Sequence, residues 1–225
     1  CNYKTIIVLC QKLESLLRDS VFFERYKQQH GIRRGGEAVW QYFFERNAWI
    51  FGYGLSFVWC DGVDDDRLEQ VVAGFNFNES GKRVDGLKKT AGLVRQFVLV
   101  EIKTVTAPLI EQREYRPGVW RPGEDVVGGV AQAQKTVAKF KEKVMRKAEL
   151  VEEGGAPKGE CVYNFCPRSY LVVRNLEQFV TPTGLNEEQF CSFELYRNTT
   201  ESPYIITCDE LFARAKAIVE QRPLT

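Results

Sequence analysis

Glu101 and Lys103 flank Ile102 directly after an unbroken apolar run, Phe97-Val98-Leu99-Val100. Such a run predicts a central strand over residues 96–103, buried on both faces. Side chains two apart on a strand share a face, so the carboxylate and the amine become neighbours while Ile102 turns into the core. Asp85 falls on the strand predicted just upstream, over residues 82–88, and pairing of the two strands brings it beside Glu101. Two carboxylates and one ammonium suit a divalent cation, with Asp85, Glu101 and the Ile102 carbonyl as its oxygen ligands. The set fits phosphodiester hydrolysis: Mg2+ neutralises the phosphate and acidifies a bound water, and Lys103 positions or polarises the attacking water. A bare Glu-x-Lys arises by chance about once in a chain of this length, and Glu142 lies between two lysines with no such context. An ordinary ion pair at a strand edge is the competing reading.

The surrounding pattern supplies elements to hold these residues. Ile6, Ile7, Cys10, Leu13, Leu16 and Leu17 recur at helical spacing, which predicts an amphipathic helix or helix pair over residues 3–28. After the Gly35-Gly36 break, residues 37–46 form a helix with Val39, Trp40, Phe43 and Phe44 on one face. A strand at 56–60 leads to a turn at Asp61-Gly62 and an acidic loop, and strands at 71–77, 82–88 and 96–103 make a meander. Residues 104–125, rich in Pro, Gly and Arg, read as a long irregular loop. A helix over 126–150, a flexible connection at 154–159 and a short strand at 170–173 follow. Helices at 187–196 and 208–220 close the chain, separated by a strand at 204–206 and capped at Thr207 or Asp209. The fold expected is one α/β domain over residues 35–225, preceded by a helical extension over 1–34.

Composition narrows the chemistry. The chain has 225 residues, 44% hydrophobic and 27% charged, ample for a folded core. With 31 Lys and Arg against 30 Asp and Glu, nucleic acid has to be held by local basic patches rather than by bulk charge. His30 is the sole histidine, in a polar linker without partners, which argues against His-metal nucleases and Ser-His hydrolases. No phosphate-binding Gly-Lys-Ser/Thr loop is present. The seven cysteines are odd in number, and Cys161 and Cys166 lack a second pair to complete a zinc site. They read as reduced thiols of a cytoplasmic protein. No apolar run approaches the roughly 20 residues that cross a bilayer, and a start at Cys1 suggests a fragment of something longer.

Several segments carry a family resemblance. They are Glu37-Ala38-Val39-Trp40-Gln41 with Asn47-Ala48-Trp49-Ile50-Phe51-Gly52, Arg83-Val84-Asp85-Gly86-Leu87, Phe97 through Lys103, Tyr115-Arg116-Pro117-Gly118-Val119-Trp120, Gly128-Gly129-Val130-Ala131-Gln132, Ser192-Phe193-Glu194-Leu195-Tyr196-Arg197, and Thr207-Cys208-Asp209-Glu210-Leu211-Phe212. In that order, from Glu37 to Val219, they resemble the PD-(D/E)XK nuclease core, and more narrowly the nuclease domain of the Shedu antiphage-defence proteins. The resemblance implies a mixed central β-sheet flanked by helices and a DNA endonuclease dependent on Mg2+, with Mn2+ as a substitute. It assigns metal and catalytic roles to Asp85, Glu101 and Lys103. Glu37 matches the family's helical acidic residue, with Glu45 as a rival, and Gln132 its active-site glutamine, with Gln134 two residues on. Gly86 departs from the bulkier apolar residue of relatives. Arg83, Lys88, Arg116 and Arg121 are candidates for DNA contact, with Tyr115 and Trp120 packing or stacking beside them. Cutting two strands with one metal site per chain favours a homo-oligomer, and a regulatory region N-terminal to this sequence is expected. The alternative is a non-catalytic nucleic-acid-binding or regulatory domain that keeps the nuclease fold.

Overall fold

The strand that ends in Glu101 and Ile102 lies inside a six-stranded mixed sheet, with helices packed on both of its faces. The computed structural model describes residues 3–47, 50, 60–62, 86–90, 95–103, 107–151 and 157–220. Strands β1 (Cys60–Gly62), β2 (Gly86–Thr90) and β3 (Arg95–Ile102) pair antiparallel in sequence order. β3 then pairs parallel with β7 (Pro157–Val173). The other edge of β7 is shared end to end by β6 (Lys147–Val151), antiparallel, and β8 (Tyr204–Thr207), parallel. Every residue from Phe97 to Ile102 is buried, which accounts for the apolar run: this strand has no solvent face.

Alternation along β3 and β7 sorts their side chains into two layers. Val98, Val100, Ile102, Tyr170 and Val172 face α1 (Tyr3–Arg18), α3 (Gly36–Arg46) and α6 (Cys208–Glu220), sharing a core with Leu13, Leu16, Trp40, Phe43, Phe44 and Leu211. Leu171 and Val173 face the opposite way, toward Val126 and Val130 of α4 (Glu124–Lys143) and Phe193 of α5 (Glu187–Thr199). Helix α2 (Ser20–Gln29) is separated from α1 by Asp19, whose carboxylate accepts from the Val21 and Phe22 N–H groups at 2.9 Å each. At the start of α6, the Glu210 carboxylate accepts from the Thr207 N–H and hydroxyl, both at 3.0 Å. That is one half of a capping box, written as Thr-x-x-Glu.

Four expectations are corrected. The segment expected as an irregular loop over 104–125 holds regular structure: β4 (Ile110–Arg116) and β5 (Val119–Pro122) form a hairpin turned at Pro117-Gly118, where Gly118 takes φ +75°. Its prolines lie at strand ends and in the turn, where no ladder N–H is needed, so they punctuate the hairpin rather than prevent it. The helix expected over 126–150 stops at Lys143, and Lys147–Val151 is strand β6. The reason is tertiary: Asn164 of β7 donates its side-chain amide to the carbonyls of Val144 and Met145, and its N–H to the Arg146 carbonyl. The short strand at 170–173 is the end of a 17-residue one, whose register against β3 shifts where Asn164 to Pro167 bulge out. Asp61-Gly62 is part of β1 rather than a turn. The meander strand expected at 71–77, the acidic loop at 64–66 and most of the strand at 56–60 lie outside the described residues.

Candidate active site

Register places the chemistry. Glu101 is opposite Leu171 in the parallel β3–β7 ladder, so its side chain joins the α4 layer, while Ile102 enters the Trp40 layer. The backbone continues to Lys103, whose N–H donates to the Val172 carbonyl at 2.9 Å. The Lys103 amine then lies 3.1 Å from Glu101 Oε1, with the Glu101 side chain 6% and the Lys103 side chain 16% exposed. A carboxylate this deeply buried requires a nearby cation or donors, and the amine two residues on is one.

Helix α4 supplies a second partner. Lys103 Nζ donates to Gln132 Oε1 at 3.0 Å. An ammonium only donates, so Gln132 must turn its carbonyl toward it and its NH2 away. Gln134 is not at this position: it is exposed and donates to the Ser202 carbonyl at 2.8 Å. Between the helix and the strand, Gly129 is buried against Leu171 and the Lys103 stem. Sequence reading gave Gly129 no role, although a glycine pair inside a helix was the available signal.

The remaining candidates fall in different places. Asp85 and Arg83 lie outside the described residues. Glu37 is exposed in the first turn of α3, and Glu45, in the last, accepts from Gln41 Nε2 at 3.0 Å. The buried face of α3 packs on the other side of the sheet from Glu101. Lys88 is in β2, paired with Val98. Arg116 and Arg121 are exposed on the β4–β5 hairpin with their guanidinium carbons 5.7 and 4.3 Å from the Tyr115 ring centroid, and Tyr115 is 52% exposed. Trp120 is half-buried against the α4–α5 core and its backbone N–H donates to Ser192 Oγ at 3.3 Å, so it anchors the hairpin to α5. Lys135, Lys139 and Lys141 are exposed along α4.

Among the described residues, no three His, Cys, Asp or Glu side chains converge as a metal site. The described oxygen donors are the Glu101 carboxylate and the Ile102 carbonyl; both are hard ligands of the kind that suit Mg2+ or Mn2+. His30 does have partners: its ring lies 4.4 Å from Tyr26 and 4.7 Å from Tyr42, and Nδ1 is 3.0 Å from Tyr42 Oη. These are aromatic packing contacts and form no hydrolytic triad.

Away from the amine cluster, Arg197 ties α5 to α6 through a bidentate pair with Glu210, at 2.7 and 2.8 Å, and a 2.7 Å contact to Glu194. Burial alone would raise the Glu210 carboxyl, but Arg197 and Thr207 outweigh it and hold the group below the ordinary value. Burial, with Asp209 adding to it, pushes the Cys208 thiol up. Cys208 is therefore an inert core residue, as is Cys10.

Two comparisons bear on this arrangement. The family model described as "Shedu protein SduA, C-terminal" matches residues 35–212, from the start of α3 into α6. This chain belongs to that family. Shedu protein SduA of Bacillus cereus (strain B4264) is 31% identical to it over 195 residues, which are 86% of this chain and 48% of that protein. The chain thus spans about half the length of this SduA relative. The SduA match takes in β3, the Gly129–Gln132 turn of α4, the hairpin and the Arg197–Glu210 tie. No described helix is long and apolar enough to cross a membrane.

Proposed function

We propose that this chain is the catalytic region of a metal-dependent DNA endonuclease of PD-(D/E)XK type that acts in antiphage defence in the cytoplasm. The observation that carries the reading is the buried contact of Glu101, Lys103 and Gln132 at the end of a central strand. Family membership is what links the cluster to defence.

The proposed metal ligands are Glu101, the Ile102 carbonyl and Asp85. Asp85 adjoins Gly86 in sequence, and Gly86 is the strand partner of Val100, next to Glu101. Mg2+, or Mn2+ in its place, would supply charge neutralisation at the phosphate and a more acidic bound water. The side chains do the rest. Two of the three N–H donors of Lys103 are used by Glu101 and Gln132, and the third orients a water or a phosphate oxygen for attack. Restricted water access strengthens each of these interactions. Gln132 fixes the rotamer of the amine. Arg116 and Arg121, on an exposed ribbon braced by α5, together with Arg83 and Lys88, would hold the phosphate backbone. Two copies of the chain, each with one site, would cut both strands.

The test is plasmid cleavage with Mg2+, with Mn2+, with EDTA and with Lys103→Ala. Cutting should need the metal and fall by on the order of 10² or more in the variant. Cutting that persists unchanged in Lys103→Ala sinks the site assignment. DNA binding without any cutting leaves a recognition domain that keeps the fold.

A further inference from the structure

Helix α4 carries adjacent glycines, Gly128 and Gly129, although glycine is among the poorest helix formers. Their surroundings differ. A Cβ at Gly128 would meet nothing within 4 Å among the described residues. A Cβ at Gly129 would lie 2.9 and 3.1 Å from the two Cδ atoms of Leu171 and 3.1 Å from Cε of Lys103. Leu171 is fully buried opposite Glu101, in the core it shares with Val126, Val130 and Phe193, whereas the Lys103 stem is partly exposed and is the side with room to yield. Gly129 and Gln132 are three residues apart and share a helix face. One helical turn therefore both makes room for the stem and delivers the amide oxygen to the amine at its end.

We infer that Gly129 is a positioning residue: its lack of a side chain lets α4 close on the sheet until Gln132 and Glu101 hold the Lys103 amine between them. A methyl group at this position either displaces the stem or lifts the helix. Both separate Nζ from Gln132 Oε1. The effect on cleavage rests on the nuclease reading above; the effect on the amine does not.

The experiment uses the whole chain and reads acetic anhydride labelling of Lys103 by peptide mass spectrometry at one fixed pH, beside plasmid cleavage. The variants are Gly129→Ala, Gly128→Ala, and Gly129→Ala combined with Leu171→Val. The valine lacks Cδ atoms, so the double variant relieves the packing half of the contact and keeps the crowding of Lys103. Gly128→Ala should match the wild type in both assays. Both Gly129→Ala chains should label Lys103 about threefold faster or more, with kcat down about tenfold or more and KM within about twofold. Lys103 reacting at the wild-type rate in the folded single or double variant overturns the inference. A wild-type chain that cuts no DNA removes the nuclease reading, and the labelling rates still decide the role of Gly129.

Discussion

Replacing Lys103 with Met keeps most of its volume and removes its charge, which isolates what the amine does for Glu101. At 3.1 Å the attraction between the two charges is about 5 kcal/mol for an effective dielectric near 20. Desolvation of the carboxylate opposes it, so the net worth of the pair is small, but removal of one partner leaves the other poorly compensated. With Glu101 5% exposed, Lys103→Met should cost about 3 kcal/mol, the lower end of the usual range because the amine keeps some contact with water. Glu101→Gln combined with Lys103→Met should return to within about 1 kcal/mol of the wild type, so adding the glutamine recovers about 2 kcal/mol of what the methionine costs. Urea unfolding in EDTA-containing buffer measures this. For a chain of this size m is about 3 kcal/mol/M, so the midpoint of the single variant should drop by about 1 M with m unchanged. A single variant that unfolds at the wild-type midpoint, or a double variant as unstable as the single, refutes the claim that these groups compensate each other in the buried site.

Three further outcomes follow from contacts described above. Because the Glu210 carboxyl is held below its ordinary value of 4.5, its contribution is complete above that pH and is lost as pH falls through the lower folded-state value. Arg197→Leu should therefore cost about 3 kcal/mol at neutral pH and flatten the loss of stability below pH 4.5, read from urea melts across a pH series. Gly123→Ala should destabilise by about 2–4 kcal/mol, because its methyl would overlap the Pro108 carbonyl where the Gly123 N–H donates to Leu109 O; an unchanged melting temperature counts against this strand approach. Arg116→Ala with Arg121→Ala should weaken DNA binding irrespective of sequence and reduce the slope of log affinity against log salt by about 2, and an anisotropy titration with an unaltered slope excludes the ribbon as a phosphate contact.

What could be read from the sequence follows from how locally each feature is determined. β3 was legible because burial on both faces leaves an unbroken apolar run, and the parity of positions 101 and 103 then dictated a shared face. The first helices declared themselves by periodicity, and the last by a cap expected at Thr207 or Asp209; the Thr207–Glu210 contact at its start emerged only in the structure. Strand β6 and the part of β7 before residue 170 were not legible, because their pairing joins segments whose own residues read as helix and loop, and an Asn164 amide ends α4 from a distance in sequence. The choice of Gln132 over Gln134 depends on how α4 is rotated against the sheet, which a two-residue spacing cannot express. The importance of Gly129 is likewise a property of the gap it fills, and His30 looked solitary because Tyr42, 12 residues away, comes back to it only in three dimensions.

The opposed faces of β3 make its reading frame functional in a second sense. Deleting or inserting one residue between Phe97 and Glu101 would exchange the two sides of everything beyond it, burying a carboxylate against Trp40 and offering an isoleucine to α4. Length changes in pairs would preserve the sides but slide the carboxylate along β7, away from Leu171 and the helical turn above it. Homologues that retain this chemistry should accordingly vary in length on either side of the strand while the distance from its buried phenylalanine to its lysine stays constant.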